Sequence, residues 1–286
     1  MSSKIALITD GGADLSAEKI KEFNVHSVVE VYVLFGEEQH TAKTMTIEDF
    51  HKRVNQTTKK TFPKTSQPSP HDFLVAYEKA KEDGFETIIS VHLSSKLSGT
   101  FNSANLASKE IEGIDIRVID SFGVSPSLAA CVKYASKLIS QGIPVDDIEQ
   151  KIIEFGKTLQ GFIAFNTLDN LLRGGRMSPV RYRLGKLLNI KPVIRLANGE
   201  LKPFAKAKGI DKSRTTAYGL STENYSKDKP VNYIIAHTRA KDLALEYEKK
   251  LKTEFPNATG FVMEIGIVIS THAGENALFF MVYEEP

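Results

Sequence analysis

The chain has 286 residues, of which 41% are hydrophobic, enough to bury the core of one large or two medium domains. Lys and Arg number 37 against 35 Asp and Glu, a balance that gives no electrostatic pull toward nucleic acid or an anionic membrane face. The single cysteine, Cys131, excludes an internal disulfide and reads as a small buried helix residue in a reducing compartment.

Residues 4–9 predict a buried strand, starting too soon and ending too early for a signal peptide. No apolar stretch approaches the roughly 18 residues that span a bilayer, so a cytoplasmic protein is expected, touching a membrane at most transiently. Asp10-Gly11-Gly12-Ala13-Asp14 follows, with Ser16 placed to cap a helix over residues 16–23. Residues 25–34 are again β-branched and apolar. Helical spacing returns at 47–54 and at 70–81, where Phe73, Tyr77 and Ala80 share a face. Between these helices lies a hydroxyl cluster, Thr65-Ser66-Gln67-Pro68-Ser69-Pro70. Residues 86–93 predict a strand, 102–111 a helix, 115–119 a strand and 127–140 a helix. The turn Ser94-Ser95-Lys96-Leu97-Ser98-Gly99-Thr100 joins the first pair. Its hydroxyls and free helix-start N–H groups make a pocket for an anion. Such alternation predicts a mainly parallel sheet covered on both faces. Ligands in that architecture sit beyond the carboxyl ends of the strands, where Thr9-Asp10-Gly11, residues 94–100 and Asp120-Ser121 fall.

After an amphipathic segment at 145–159 the pattern changes. A strand at 161–165 and a helical turn at 168–172 lead to Arg173-Gly174-Gly175-Arg176. Residues 191–196 and 200–205 flank Asn198-Gly199, a hairpin signal for a type I′ turn. A helix (213–225), a strand (231–237), a helix (241–255) and strands near 260–264 and 277–283 complete the chain. A boundary near residue 160 divides it into 1–160 and 161–286.

No phosphate loop, dinucleotide fingerprint, His-Glu-x-x-His or Gly-x-Ser-x-Gly elbow is present, and the scattered histidines give no metal-ligand spacing. Ser98 has two readings: a nucleophile served by distant His272, or, with Ser94 and Ser95, a cap on the following helix. Thr65 and Ser66 read equally as turn residues before Pro68 and Pro70. Asp10 and Asp14 read as metal ligands or as caps of the first helix, and His272 as a site residue or a satisfied core histidine. Arg173, Arg176, Arg181, Arg183 and Lys186 form a basic segment that is either a solvated face or a surface for an anionic ligand or acidic partner.

Taken in order, Thr9-Asp10…Asp14-Leu15, Thr65-Ser66-Gln67-Pro68-Ser69, Ser94-Ser95-x-x-Ser98-Gly99-Thr100, Val118-Ile119-Asp120-Ser121, Leu171-x-x-Gly174-Gly175-Arg176, Ile190-Lys191-Pro192 and Thr271-His272-x-Gly274 resemble the DegV family over essentially the whole chain. No single motif is specific; their register is. The resemblance implies two α/β domains with the ligand between them, the first built on a parallel sheet flanked by helices and the second on a mixed sheet with helices. It implies a bacterial lipid-binding protein, not an enzyme, that holds a long-chain fatty acid without a cofactor, metal or nucleic acid. Better-known members present the acyl chain to a fatty acid kinase. Carried over to this sequence, Thr65 and Ser98 bond the carboxylate, Ser66 and Gly99 adjoin them with backbone N–H groups, and His272 stands near the head group. Arg176 and Lys208 are candidate head-group or partner contacts. Each charge-assisted bond to the carboxylate contributes about 1.5–3 kcal/mol, and each buried CH₂ about 0.8 kcal/mol, so the tail needs an apolar tunnel. Phe162, Phe165, Phe279 and Phe280 are candidate tunnel residues.

The sequence departs from the family pattern at Gly11, where Ser is common, and at Glu275, which adds a negative charge near the expected carboxylate. Lys208 stands in a stretch where kinase-engaging members tend to carry an arginine, whose bidentate fork lysine lacks. Two competing functions remain at this level: a serine esterase or acyl transferase using Ser98 and His272, and a phosphoryl-transfer enzyme.

Overall fold

The computed structural model describes residues 4–177 and 189–286 and arranges their strands in three sheets. The first apolar run forms β1 (Ile5–Asp10), which passes through a 3-10 turn at Gly11–Ala13 into α1 (Ala17–Glu22). The Ser16 hydroxyl caps α1 as expected, accepting from the Lys19 N–H. The run at 25–34 is not one strand: it divides into β2 (Val25–Val29) and β3 (Tyr32–Phe35), which join different sheets. β3 pairs antiparallel with β4 (Glu38–His40) and β5 (Lys64–Ser66), and α2 (Ile47–Val54) lies between those two in the chain. Thr65 and Ser66, which also read as turn residues, therefore belong to a strand. Polar runs this short carry no alternation, and only pairing with β3 makes them strands.

α3 (Pro70–Glu82) opens with a capping box between Ser69 and Asp72 and buries Phe73, Tyr77 and Ala80, the face its spacing predicts. β6 (Thr87–His92), α4 (Thr100–Ala107) and β7 (Asp115–Asp120) complete a fully parallel sheet in the order β2-β1-β6-β7. α5 (Pro126–Ser140) and α6 (Val145–Thr158) follow, then β8 (Gln160–Ala164), α7 (Asp169–Arg173), and the hairpin β9 (Val193–Ala197) and β10 (Glu200–Ala205). Asn198 and Gly199 turn that hairpin with φ of 50° and 77°, as a type I′ turn requires. α8 (Ile210–Thr222), β11 (Asn232–His237), α9 (Lys241–Glu254), β12 (Thr259–Glu264), α10 (Ile267–Ala273) and β13 (Leu278–Tyr283) end the chain. The second sheet, β10-β9-β8-β13-β11-β12, is mixed, with β11 and β12 its parallel pair.

α5 packs on β1 and β6 and also on β11 and β13, so it is buried along most of its length. One apolar core runs from Leu7 and Ile89 of the parallel sheet to Ile163 and Phe279 of the mixed sheet. Cys131 is fully buried in it, and burial pushes its thiol far above the ordinary range. The far face of the mixed sheet, with Phe162, Tyr233 and Phe280, packs under α8 and α9 as a separate core.

A buried polar chain ties the carboxyl ends of β1 and β6 together. Tyr77 Oη lies 2.9 Å from Ser90 Oγ, which lies 2.7 Å from His92 Nε2, and His92 Nδ1 is 3.0 Å from Asp10 Oδ2. Asp10 also accepts from the Gly12 N–H at 2.8 Å and the Leu93 N–H at 3.0 Å. It thus caps the 3-10 turn rather than α1. Asp14 accepts from the Gly266 N–H at 3.0 Å. Among the described residues no cluster of three or more His, Cys, Asp or Glu is placed to hold a metal ion, and no helix is long and apolar enough to cross a membrane. Removing the Asp10 carboxyl leaves its buried donors unpaired, at about 1–3 kcal/mol each. Asp10→Ala is therefore expected to lose at least about 3 kcal/mol of stability, read as a lower urea midpoint at unchanged slope.

Candidate ligand-binding site

The polar end of the site is assembled from four separate segments: the end of β5, the turn after β6, α10 and the loop after α7. α10 packs against β3, β5 and α7, which brings His272 over the hydroxyl of Thr65. The Thr65 Oγ1 to His272 Nε2 distance is 2.9 Å, between residues 207 positions apart. Behind the ring, His272 Nδ1 is buried with no hydrogen-bond partner among the described residues. Gly174 lies directly against it: a Cβ there would fall 2.0 Å from Nδ1, so only glycine fits under the imidazole. Burial lowers the His272 pKa to about 4, and the neighbouring Arg176 charge adds to the effect, so the ring is neutral near neutrality.

Ser98 Oγ is 2.9 Å from Thr100 Oγ1 and accepts from the Thr100 N–H at 3.3 Å. That second bond is a cap of sorts on α4, although the N-cap residue itself is Gly99. The His272 ring bonds Thr65, not Ser98, so the pair expected of a serine nucleophile and its base is not formed. Gln67, Thr65, Ser66, Ser98, Arg176 and His272 line one connected cavity. Gly99 is not in its wall; it lies beneath the Gln67 amide, where a Cβ would fall 1.9 Å from Oε1. Gln67 Nε2 in turn donates to Ser103 Oγ at 3.0 Å. Arg176 is exposed and donates through Nε to the Leu97 carbonyl at 3.2 Å and through Nη1 to the Gly174 carbonyl at 2.7 Å. It thereby latches the Gly-Gly-Arg loop to the serine turn. The same turn is held from the other side, where Ser94 Oγ donates to the Gly199 carbonyl at 3.0 Å and Lys96 Nζ to that of Asn198 at 3.0 Å.

Beyond these polar groups the cavity is largely apolar, walled by strands of the mixed sheet, by loops that follow strands of the parallel sheet and by α10. Leu93, Leu97, Ile163, Phe165, Ile265 and Phe279 are among its lining residues. Phe162 and Phe280, candidates on sequence, face the other side of the mixed sheet and pack under α8 and α9. Side chains alternate across a strand, so Phe279 and Phe280, adjacent on β13, face opposite sides of the mixed sheet.

A second, open and basic cleft shares Thr65, Arg176 and His272 with the cavity mouth and adds Lys59, Phe62, Lys64 and Arg173. The Arg173 guanidinium sits 5.2 Å from the Phe62 ring centre. Lys59 and Lys64 carry no motif, and only the fold puts them here. Lys208 is exposed, forms an isolated antiparallel bridge with Ile190, and lines neither space. Glu275 does not line the cavity and pairs with Arg239 at 3.0 Å and His51 Nδ1 at 3.3 Å. Gly11 is absent from the cavity wall, and a Cβ there would fall 3.3 Å from the backbone nitrogen of Val31, which lines the cavity. Arg181, Arg183 and Lys186 lie outside the described residues.

A family model described as an uncharacterised protein of the DegV family matches residues 4–285. A DegV domain-containing protein of Halalkalibacterium halodurans is 32% identical over 284 residues, covering 99% of each chain. A Thermotoga maritima protein named a fatty acid-binding protein is 28% identical over 282 residues, covering 97% of this chain and 96% of its own. The crystal structure of DegV from Bacillus subtilis, described as a fatty acid binding protein, superimposes with a TM-score of 0.89 at 29% identity, covering 99% of this chain and 100% of its own.

His272 has a pH signature. Its folded pKa of about 4 lies below the ordinary 6.5, so the unfolded chain binds the extra proton first as pH falls. The stability that the neutral ring contributes is present above pH 6.5 and is lost progressively down to about pH 4, by about 3 kcal/mol in all. Asp14, raised to about 7 mainly by burial, has the opposite slope. The difference between urea midpoints of wild type and His272→Gln, measured at pH 7 and pH 4.5, isolates the histidine and should shrink at the lower pH.

Proposed function

The chain belongs to the DegV family, and on that premise we propose that it binds a long-chain fatty acid non-covalently, with the carboxylate at Thr65 and Ser98 and the tail in the apolar cavity. The ligand lies between two α/β units, residues 1–160 and 161–286. The observation that carries this proposal is the continuity of one cavity from a cluster of neutral donors to an interior that is apolar apart from Ser125. A carboxylate leaving water needs donors, and the alkyl chain needs apolar walls; few other ligands need both in line. The relatives described as fatty acid binding proteins support the same class of ligand.

The geometry also fits the protonation. We assign the His272 proton to Nε2, since on Nδ1 it would be a buried, unpartnered donor against Gly174. Nε2–H then donates to Thr65 Oγ1, and the Thr65 proton is left free to donate to a carboxylate oxygen. Ser98, already accepting from the Thr100 N–H, is likewise free to donate. Such a site binds without bond-making. An acyl-transfer enzyme would need Ser98 and His272 bonded to each other, and they are not.

The basic cleft at the cavity mouth fits a further step, presentation of the carboxylate to a fatty acid kinase in the cytoplasm. Lys59, Lys64 and Arg173 would face the anionic groups that a phosphoryl donor brings to the carboxyl carbon's oxygens. Lys208 lies away from both spaces.

Denaturing extraction of the purified protein followed by mass spectrometry should release a long-chain fatty acid. Finding none, with no thermal stabilisation by added fatty acid, would sink the proposal. Thr65→Ala and Ser98→Ala should each weaken fatty acid binding by roughly ten- to a hundredfold, the worth of one charge-assisted bond. For presentation, Lys64→Glu should leave fatty acid affinity within about twofold yet slow phosphorylation by a fatty acid kinase at least about tenfold. An unchanged rate would remove the cleft from the handover.

A further inference from the structure

Ser125 closes the turn between β7 and α5 with φ 53° and ψ −116°, a strained backbone for any residue with a Cβ. Its N–H donates to the Gly12 carbonyl at 2.7 Å, which holds the turn tight. Its side chain is fully buried and lines the apolar cavity, where Oγ makes no well-formed hydrogen bond and has only the neighbouring Asp14 carboxyl to interact with. Asp14 lies beside it. One Asp14 oxygen accepts from the Gly266 N–H, while Oδ2 is buried and makes no well-formed hydrogen bond. Burial raises the Asp14 pKa to about 7 and the adjacent Ser125 hydroxyl opposes the rise, so near neutrality much of the carboxyl is protonated. A polar pair of this kind in an otherwise apolar wall is unexplained by binding a saturated chain, which would leave it desolvated with only its weak mutual contact.

A strained serine between strand and helix has the geometry of a catalytic nucleophile elbow. Here, however, the next residue is Pro126, which has no N–H to stabilise an oxyanion, and the histidine of the cavity wall, His272, is bonded to Thr65. Its chemistry is recognition.

We propose that Ser125, backed by Asp14, is a second polar contact point inside the cavity, and that it reads a hydroxyl group carried on the acyl chain, making a hydroxylated long-chain fatty acid a preferred ligand. A hydroxyl both donates and accepts, as does the serine, and a protonated carboxyl adds a donor. Sites built to pair a hydroxyl discriminate strongly against analogues that lack it. The proposal rests on the fatty-acid function above, which the experiment tests separately.

Delipidated full-length protein is titrated with a fluorescent fatty acid, then displaced by stearate and by hydroxystearates whose hydroxyl moves stepwise along the chain. At least one positional isomer should bind roughly tenfold more tightly than stearate. That preference should vanish in Ser125→Ala and in Ser125→Gly, with stearate binding as well as before or better; glycine also relieves the backbone strain and guards against misfolding. The proposal is overturned if no isomer outbinds stearate in the wild type, as when a buried water already satisfies the pair, or if the preference survives both variants. If stearate itself does not bind, the fatty-acid function fails, and this proposal with it.

Discussion

The Thr65–His272 hydrogen bond is the joint on which the mouth of the cavity depends. It links a three-residue strand near the start of the chain to a seven-residue helix near its end. Neither element is stable alone; each is held by what it packs against. The bond also sets the chemistry. A histidine sunk this deep is neutral near neutrality, and with its proton assigned to Nε2 the ring pinned between Gly174 and Thr65 leaves the threonine hydroxyl proton free. A charged ring here would attract a carboxylate more strongly but would be costly to keep dry, and the fold instead surrounds the site with neutral donors. Positive charge is kept at the rim, on Arg176, Arg173 and the lysines of the cleft.

Around that joint the loops hold one another rather than hanging from single elements. Arg176 bonds the carbonyl of Leu97, Ser94 bonds that of Gly199, and Gln67 bonds Ser103, so the serine turn, the Gly-Gly-Arg loop and the β9–β10 hairpin share their polar groups. A loop supported in this way pre-organises its donors, and less ordering entropy is lost when a ligand arrives. The Asp10 network serves the same end from beneath, fixing the strand ends from which the serine turn departs.

α5 has a different task. It is shared by the parallel and mixed sheets and makes one continuous core of them, leaving the cavity as the gap where the two sheets and α10 do not quite meet. Its first turn begins at Ser125, so the same strained residue that starts the shared helix also forms part of the cavity wall. Strain of this order persists only where the surroundings over-determine it, and here both a helix start and a cavity surface do so.

Much of this was legible from the sequence, because it depends on neighbours in the chain. Hydrophobic periodicity located α3 and its buried face; Ser16 and Asn198-Gly199 announced a cap and a turn through their own side chains and dihedrals. Ordered motifs identified the family and put Thr65, Ser98, Arg176 and His272 on one list. What the sequence left open was every question of which face and which partner. It could not tell Phe165 and Phe279, in the cavity, from Phe162 and Phe280, under α8 and α9, since all four are apolar residues on buried strands. Nor could it see that Glu275 is committed to Arg239 and His51, that Lys208 points elsewhere, or that Lys59 and Lys64 join the mouth. Those outcomes are fixed by contacts between residues tens to hundreds of positions apart. Local propensity carries no record of such contacts, and only packing the sheets against α5 and α10 decides them.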